Sequence, residues 1–449
     1  MTERTDPANR AAPPEHCGPI RIGFLGMGVV GTGVVELLLK QRETIQRKSG
    51  VQFEIARIAV SNPDKRRAAI VPQNIVTANV EEVIDDPAIH VVCELIGGIE
   101  PAATYLHRAL AAGKHVVTAN KQLLACAGHS LMEEAEAGAL DFQFEASVCG
   151  GIPLIQPMKN ALAANEIRLV AGIINGTTNY ILSEMEAGHG DFETALRSAQ
   201  DLGYAEANPE SDIEGHDARF KIAILASIAF TGRINVAAVP VEGISHITPR
   251  DIKYARDLGF AIKLLGVARR VTNTDVEVRV NPALVRTDHP LAATHGVNNA
   301  VLLRGEPVGE VMFYGRGAGA GPTASAVVGD LMDVFRNIRH GATGRVPCTC
   351  ALPLQQVHPD QAVTRHYLRM TLRDRPRTLA EVAGVLGEHQ ISIQSVLSLQ
   401  PEEVSFGYNE VVWLTHLAPW GAVRSALATI ELMNGVESIG ASIRIEDLK

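Results

Sequence analysis

The stretch IRIGFLGMGVVGTGVVELLLKQ, residues 20–41, decides how the first part of the chain folds. It predicts a short apolar strand, a turn with glycines in G-x-G-x-x-G spacing, and then a helix. Such glycines let the backbone approach a pyrophosphate, and the N–H groups at the start of the helix point at it. A glycine-rich turn also serves plain packing, but strand and helix are both in place. The stretch therefore predicts a dinucleotide site at Gly26, Met27, Gly28, Val29, Val30 and Gly31.

The second predicted strand, FEIARIAVSN at residues 53–62, ends without the Asp or Glu that would hold a ribose 2′-hydroxyl. Ser61, Asn62, Lys65, Arg66 and Arg67 stand there instead. This cluster either accommodates the 2′-phosphate of NADP or is a solvated loop. The predicted cofactor is NADP or NAD, with NADP slightly favoured.

A further strand and helix unit ends in the segment GKHVVTANK, residues 113–121. It follows the strand HVVCELIGG and a helix predicted over residues 101–112. Residues 118–121 fall just past the carboxyl end of a parallel strand, where open α/β sheets bind their ligands. Lys121 is either a solvated loop residue or a cation beside a nicotinamide.

Composition excludes several classes of protein. The net charge of −9 has no acidic or basic block behind it, which argues against nucleic-acid and membrane-surface partners. No apolar run approaches the ~20 residues of a membrane span. Residues 1–18 lack an apolar region and are expected to be a disordered tail rather than a signal peptide. A cytoplasmic protein with six reduced cysteines is expected.

The middle of the chain contains regularly placed charges before an apolar helix. Glu206 and Asp212 precede Asp217 and Lys221, and the last two are four residues apart on a helix predicted to open near Gly215. Such a pair is usually exposed and contributes little. Here the uncharged segment IAILASIAF follows at once, so the ammonium is expected near the buried part of the helix. A lysine in such a place needs a carboxylate partner or a lowered pKa, and either suits proton transfer.

The segment AQDLGYAEANPESDIEGHDARFK, residues 199–221, resembles the signature of homoserine dehydrogenases. The motifs GMGVVGTGVV, ELIGG, VVTANK, EASVCGGIPLI, INGTTNYIL and YGRGAGAGPTASAVVGD also resemble that family. Together they span nearly all of residues 20–335. The resemblance implies interconversion of L-homoserine and L-aspartate 4-semialdehyde with NAD(P), within threonine, methionine and isoleucine biosynthesis.

The resemblance also assigns roles to single residues. It implies that Lys221 is the proton donor and that Lys121 lies between cofactor and substrate. Asp217 is expected to hold the substrate or the proton relay, and Asp212 to contact the substrate. Glu206 matches the partner of the substrate ammonium. The backbone is expected close to the cofactor at Gly203 and Gly319.

The segment EASVCGGIPLI matches a monovalent-cation loop of the family, usually occupied by sodium. The resemblance implies a structural site formed by Glu145 and the carbonyls of Val148, Gly150 and Ile152; the alternative is an ordinary glycine-rich turn. Oxygen-only ligation suits a hard cation of low charge. Cys149 is either a nucleophile, as in semialdehyde dehydrogenases, or a small buried thiol, which its neighbours favour.

The C-terminal segment has the pattern of a βαββαβ module. In its first helix, Leu379, Val382, Ala383 and Leu386 are predicted on one face. The order resembles an ACT domain, an amino-acid-sensing module that pairs through its sheet edges, and in this family it suggests inhibition by L-threonine. Arg377 stands where ACT domains usually have glycine, which makes close approach of an effector to the backbone harder.

The predicted fold class is α/β, with a Rossmann dinucleotide-binding domain, an α+β catalytic and dimerisation domain and a C-terminal ACT domain. The predicted boundaries are 1–18 for the tail, 19–145, 146–336, 337–363 for a linker and 364–449. The last helix of the second domain is expected to pack back on the first, and a homodimer or homotetramer is expected. Two alternatives remain open: a semialdehyde or other amino-acid dehydrogenase using Cys149, and a non-enzymatic nucleotide and amino-acid sensor.

Overall fold

The computed structural model describes residues 18–65, 70–399 and 405–448. The chain divides into two compact units. The first unit comprises Met1–Lys159 and Ala318–Thr349, and the second comprises Asn160–Gly317 and Cys350–Lys449. All of the predicted tail except Gly18 lies outside the described residues.

The first unit contains a six-stranded parallel sheet in the order β3-β2-β1-β4-β5-β6. Apolar residues fill its strands because both faces of a parallel sheet are covered. The order reverses between β1 and β4, as in dinucleotide-binding folds. Its elements are β1 (Ile20–Leu25), α1 (Val29–Lys40), α2 (Arg42–Ser49), β2 (Phe53–Ala59), β3 (Val76–Thr77), α3 (Glu81–Ile84), β4 (Val91–Glu94), α4 (Ala102–Ala111), β5 (His115–Thr118), α5 (Lys121–Ala137) and β6 (Phe142–Gln143).

The second unit begins with long antiparallel strands and the helices packed on them. The apolar face of this sheet forms a core that includes Leu169, Leu265 and Leu302. The elements are β7 (Glu166–Ile173), α6 (Gly176–Glu186), α7 (Phe192–Asp201), α8 (Glu210–Ile213), α9 (His216–Ala229), α10 (Pro249–Asp257), β8 (Phe260–Arg270), β9 (Asp275–Arg286), β10 (Asn298–Glu306) and β11 (Gly309–Arg316).

Helix α11 (Ala320–Arg339) belongs to the first unit. Its buried side chains, among them Val327, Leu331 and Phe335, join those of α1 and β1 in one core. The compact units therefore differ from the predicted domains: residues 146–159 and α11 fall in the first unit, and the predicted linker is divided at residue 349. The predicted domain boundaries stay predictions.

Apart from two short strands of two residues each, β12 and β16, the remaining elements have the predicted βαββαβ order. They are β12 (Gln355–Gln356), β13 (Val363–Arg373), α12 (Thr378–Glu388), β14 (Ile393–Leu399), β15 (Tyr408–Thr415), β16 (Ala418–Pro419), α13 (Trp420–Glu431) and β17 (Val436–Ile445). Strand β17 pairs in parallel with β9, so the second unit has one eleven-stranded sheet. The predicted fold class is confirmed.

Two residues at the start of α12, Leu379 and Arg377, differ from what their neighbours or the usual motif would suggest. Val382 and Leu386 are buried on α12, as predicted, whereas Leu379 is 45% exposed because it lies in the first turn, at the edge of the packed face. Arg377, at the start of α12, has a φ of 81°. That left-handed conformation favours glycine, so the backbone has the form expected at this turn even though the side chain differs.

Within the described ranges, no helix has the length and apolar character needed to cross a membrane. None of the five cysteines in these ranges forms a disulfide, and Cys149 is 1% exposed.

Candidate active site

A cleft of about 420 Å³ lies in the first unit at the carboxyl ends of β1, β2 and β4. The turn from β1 to α1 lines it through Gly26, Met27 and Gly28. Since this is the point where the strand order reverses, the cleft occupies the place at which open α/β sheets bind dinucleotides.

The glycines of this turn are present for two different structural reasons. Gly26 has a φ of 94°, and a Cβ there would lie 2.7 Å from the carbonyl oxygen of Leu95. A Cβ on Gly31 would lie 2.9 Å from the carbonyl oxygen of Gly26. Gly28 precedes α1, and no described atom lies within 4 Å of a Cβ added there. The first two glycines are required by packing, whereas Gly28 leaves room for a ligand beside the helix N-terminus.

The neighbouring residues of the predicted cofactor motif differ in exposure. Val29 is 75% exposed at the start of α1, whereas Met27 and Val30 pack partly against the core of the first unit. Ser61, Asn62 and Lys65 also line the cleft. Arg66 and Arg67, the other members of the predicted basic cluster, lie outside the described residues.

A buried polar network fixes the start of α5, where Lys121 lies. Glu94, at the end of β4, is 0% exposed and accepts hydrogen bonds from the Thr118 hydroxyl at 2.6 Å and from the Ile96 N–H at 2.7 Å. Asn120 caps α5 and donates to the carbonyl of Gly98 at 2.6 Å. No role was predicted for Glu94, although a carboxylate in the apolar strand HVVCELIGG is a visible signal.

In the second unit, Lys221 and Asp217 form a buried ion pair. The Lys221 ammonium donates to Asp217 Oδ2 at 2.6 Å and to the Ile174 carbonyl at 2.9 Å. The two residues are 8% and 4% exposed, respectively. The prediction that this spacing does not mark an ordinary surface pair is confirmed, and α9 begins at His216, directly after Gly215.

Asn175 ties the predicted carboxylates together. Its amide Nδ2 donates to Asp212 Oδ1 at 2.7 Å and to Asp217 Oδ2 at 2.9 Å. Its Oδ1 accepts from the backbone N–H of Thr178 at 2.9 Å and thereby caps α6. No role was predicted for Asn175, although an Asn directly before a helix, as in INGTTNYIL, is a capping signal.

Asp212 is half-buried beside this cluster. Burial raises the pKa of its carboxyl, and the nearby Asp217 adds to that effect; the hydrogen bond from Asn175 and the Lys221 charge oppose it. The Thr177 hydroxyl donates to the Tyr204 carbonyl at 2.8 Å, which anchors the loop that follows Gly203. Gly203 has a φ of 72°.

Glu206 and Gly319 are among the predicted residues that are not part of this hydrogen-bonded cluster. Glu206 is exposed, and its side chain has no hydrogen bond to Asp212, Asp217 or Lys221 in the described part of the chain. Gly319 lies in the first unit, where it precedes α11 with a φ of 111°.

The predicted cation loop surrounds a buried carboxylate. Glu145, 6% exposed, accepts backbone hydrogen bonds from Leu154 at 2.5 Å, Ile155 at 2.9 Å and Gln156 at 2.7 Å. Burial raises the pKa of this carboxyl, and the three N–H groups oppose the rise. Within residues 18–65, 70–399 and 405–448, no cluster of three or more His, Cys, Asp or Glu residues suits a metal ion. The carbonyls of Val148, Gly150 and Ile152 stay the predicted further ligands of a cation at this loop.

Comparison with family models covers most of the chain. Residues 153–332 match the model described as homoserine dehydrogenase, and residues 26–145 match that of the homoserine dehydrogenase NAD-binding domain. Residues 366–412 match the ACT domain.

Individual proteins are similar over nearly their full length. A homoserine dehydrogenase of Bacillus subtilis is 39% identical over 95% of this chain and 98% of its own. One of Pseudomonas aeruginosa is 42% identical over 96% and 99%. The crystal structure of a homoserine dehydrogenase from Thiobacillus denitrificans has a TM-score of 0.90 at 41% identity, covering 96% of this chain and 99% of that one.

Proposed function

The chain belongs to the homoserine dehydrogenase family, and from that premise we propose which of its residues perform the reaction. It is an NAD(P)-dependent oxidoreductase with an ACT domain. The proposed reaction is the reversible reduction of L-aspartate 4-semialdehyde to L-homoserine. A bound nicotinamide cofactor supplies the hydride, so the protein must deliver a proton to the carbonyl oxygen.

The observation that carries the proposal is the buried contact between Lys221 and Asp217. Lys221 gives its proton to the developing alkoxide in reduction and takes it back in the reverse direction. Asp217, 2.6 Å away, stabilises the ammonium and fixes the direction of its Nζ atom. A positioned acid of this kind contributes about 10²- to 10⁴-fold to the rate.

The substrate is proposed to bind through groups around that pair. Asp212 and Glu206 are anionic partners for the α-ammonium group of the amino acid, and Asp217 contributes to substrate positioning. The loop anchored by Thr177 and Tyr204 holds Gly203 and Glu206. Lys121 is proposed to act between cofactor and substrate, where its cation polarises the carbonyl.

The cofactor is proposed to bind along the glycine turn of residues 26–31, with Gly203 and Gly319 also approaching it. A nicotinamide cofactor follows from the NAD-binding domain. We propose NADP over NAD because β2 ends without the Asp or Glu that would hold a ribose 2′-hydroxyl, and Ser61 and Lys65 line the cleft there.

A structural monovalent cation, sodium, is proposed at Glu145 with the carbonyls of Val148, Gly150 and Ile152. The donor chemistry fits: a carboxylate offers about four acceptor sites, three of which accept backbone N–H groups here. A cation would offset the burial that raises the pKa of Glu145. Its contribution would be to charge balance and loop order.

Further proposals concern regulation and assembly. We propose a cytoplasmic homodimer or homotetramer, with the ACT domain pairing subunits and binding an amino-acid effector, for which threonine is the candidate. The left-handed backbone at Arg377 supports an effector turn of the usual form, while its side chain opposes close approach.

One experiment tests the proposed reaction, the cofactor preference and the effector together. It measures initial rates of L-homoserine oxidation with NAD and with NADP, each with and without threonine. Activity with a preference for NADP is expected. Absence of activity with both cofactors would contradict the proposed reaction. Rates that do not change with threonine would contradict the proposal that threonine is the effector.

A further inference from the structure

We infer that Asn175 is a positioning residue of the reaction, whose side-chain amide holds Asp212 and Asp217 together so that Asp217 faces Lys221. This inference rests on the proposed role of Lys221. Asn175 is 5% exposed and lies at the end of β7, directly before α6. The two carboxylates that it joins come from different helices, α8 and α9.

The orientation of the Asn175 amide is fixed by its acceptor side. Oδ1 accepts from the Thr178 N–H at 2.9 Å and from the Thr178 hydroxyl at 3.0 Å. Both amide hydrogens are then left for the two carboxylates, which lie at 2.7 Å and 2.9 Å from Nδ2. A flipped amide would point its oxygen at both carboxylates and lose the helix cap, so one orientation satisfies every partner.

The two hydrogen bonds from Asn175 to Asp212 and Asp217, here called the clamp, oppose the electrostatic repulsion between these carboxylates. Asp212 and Asp217 are close enough that the charge of Asp217 contributes to the raised pKa of Asp212, and one ammonium faces two carboxylates. Asp217 Oδ2 accepts from both Lys221 and Asn175. Because Asn175 donates to both acids, it favours their ionised forms while holding them at a fixed separation.

The same segment of the chain also holds the proton donor directly. The carbonyl of Ile174, the residue before Asn175, accepts from Lys221 Nζ at 2.9 Å. Residues 174 and 175 thus contact both members of the pair, Ile174 through its backbone and Asn175 through its side chain. A displacement of the Asn175 side chain would change the direction of the Asp217 carboxylate without removing any group that touches substrate.

Three substitutions separate positioning from helix capping. Asn175→Ser keeps a capping oxygen for α6 but is too short to reach the carboxylates. Asn175→Asp keeps the cap and the shape but replaces the donor by a third carboxylate, which can donate only when protonated. Asn175→Ala loses both the cap and the clamp. Asn235→Ser is the matched control, since Asn235 caps an exposed turn by accepting from the Ala237 N–H.

The test is the pH profile of kcat/KM for L-homoserine, measured with unfolding midpoints for each variant. Asn175→Ser should be less destabilised than Asn175→Ala, because it keeps the cap of α6, and should lose roughly ten- to a hundredfold in kcat/KM, the size of a lost hydrogen bond to a charged group. Asn175→Asp should recover activity towards acid pH, where the third carboxyl is protonated, relative to its activity at pH 8. Asn235→Ser should match the wild type.

The outcomes distinguish the inference from the proposed function on which it rests. If Lys221→Ala is inactive while Asn175→Ser and Asn175→Asp both have the wild-type profile, the inference is overturned and the role of Lys221 stands. If activity follows the unfolding midpoint alone and Asn175→Asp shows no acid shift, Asn175 is a helix cap only, which also overturns it. If Lys221→Ala retains full activity, the proposed function fails first.

Discussion

The ammonium of Lys221 lies 2.6 Å from the carboxylate of Asp217, one helical turn before it, and the two residues are 8% and 4% exposed, respectively. An exposed pair with this spacing contributes only a few tenths of a kcal/mol. A buried pair costs desolvation free energy that is recovered only with good geometry and further hydrogen bonds. Ile174 and Asn175 supply those bonds, which is the arrangement expected of a proton donor held in one direction.

The two glycines of the nucleotide turn should respond differently to alanine. Gly28→Ala should fold normally, because no described atom lies within 4 Å of the added Cβ, yet weaken cofactor binding by about tenfold or more through obstruction of the pyrophosphate. Gly26→Ala should destabilise the fold, because of its φ of 94° and the contact with the Leu95 carbonyl. Cofactor titration and thermal unfolding measure the two effects, with Gly384→Ala as a control at an open helical site. Equal loss of stability in the first two variants would contradict the account.

Lys65 tests the proposed preference for NADP. Lys65→Ala should raise KM for NADP by about tenfold, the worth of one charge-assisted hydrogen bond, and leave KM for NAD nearly unchanged. Steady-state kinetics with both cofactors measure the ratio. An equal change for both cofactors would mean that Lys65 does not read the 2′-phosphate.

The C-terminal module is tied to α10 by a buried arginine. Arg369 Nε and Nη2 donate to Asp251 at 2.7 Å and 3.0 Å, and Nη1 donates to Glu410 at 2.7 Å. Arg369→Met leaves two buried carboxylates without this partner and should cost about 3–5 kcal/mol of unfolding free energy. Arg250 also contacts Glu410, at 3.2 Å, but its side chain is 41% exposed, so Arg250→Met should cost less than about 1 kcal/mol. Denaturant unfolding measures the loss of unfolding free energy in the two variants. Equal losses would contradict the claim that Arg369 is the main partner of these buried carboxylates.

The buried His366 is expected to make the folded protein less stable in acid. Burial, with a contribution from the Arg444 charge, lowers the pKa of His366 from 6.5 to about 3 in the folded protein. The unfolded chain binds the proton first, so this stability is fully present above pH 6.5 and decreases as the pH falls towards 3. His366→Gln should remove that dependence, about 1.4 kcal/mol per pH unit within the window. Urea unfolding at several pH values measures it, with exposed His246→Gln as the control; parallel curves for wild type and His366→Gln would contradict the prediction.

Local patterns predicted the parts of the site that depend on neighbouring residues. The glycine spacing after β1 predicted the nucleotide turn, and the apolar run after Lys221 predicted its burial. The C-terminal strands and helices were also predicted closely; the strand VESIGASIRI matches β17, Val436–Ile445.

Contacts between distant segments were not predictable from such patterns. Asn175 and Asp217 are 42 residues apart, and only the fold brings the Asn175 amide between α8 and α9. Glu94 and Thr118 meet because parallel strands β4 and β5 end at the same sheet edge. The division of the chain into units also depended on packing, since α11 completes the core of the first unit from a distant part of the sequence.

If Lys221 moves the proton, the rate of NADPH formation from L-homoserine must depend on its ammonium. The measurement compares wild type, Lys221→Ala and the control Lys253→Ala, an exposed residue of α10, with cofactor affinity determined for each. We expect a fall of about 10²-fold or more in kcat for Lys221→Ala alone, with cofactor Kd unchanged. Turnover of Lys221→Ala at the wild-type rate would contradict it.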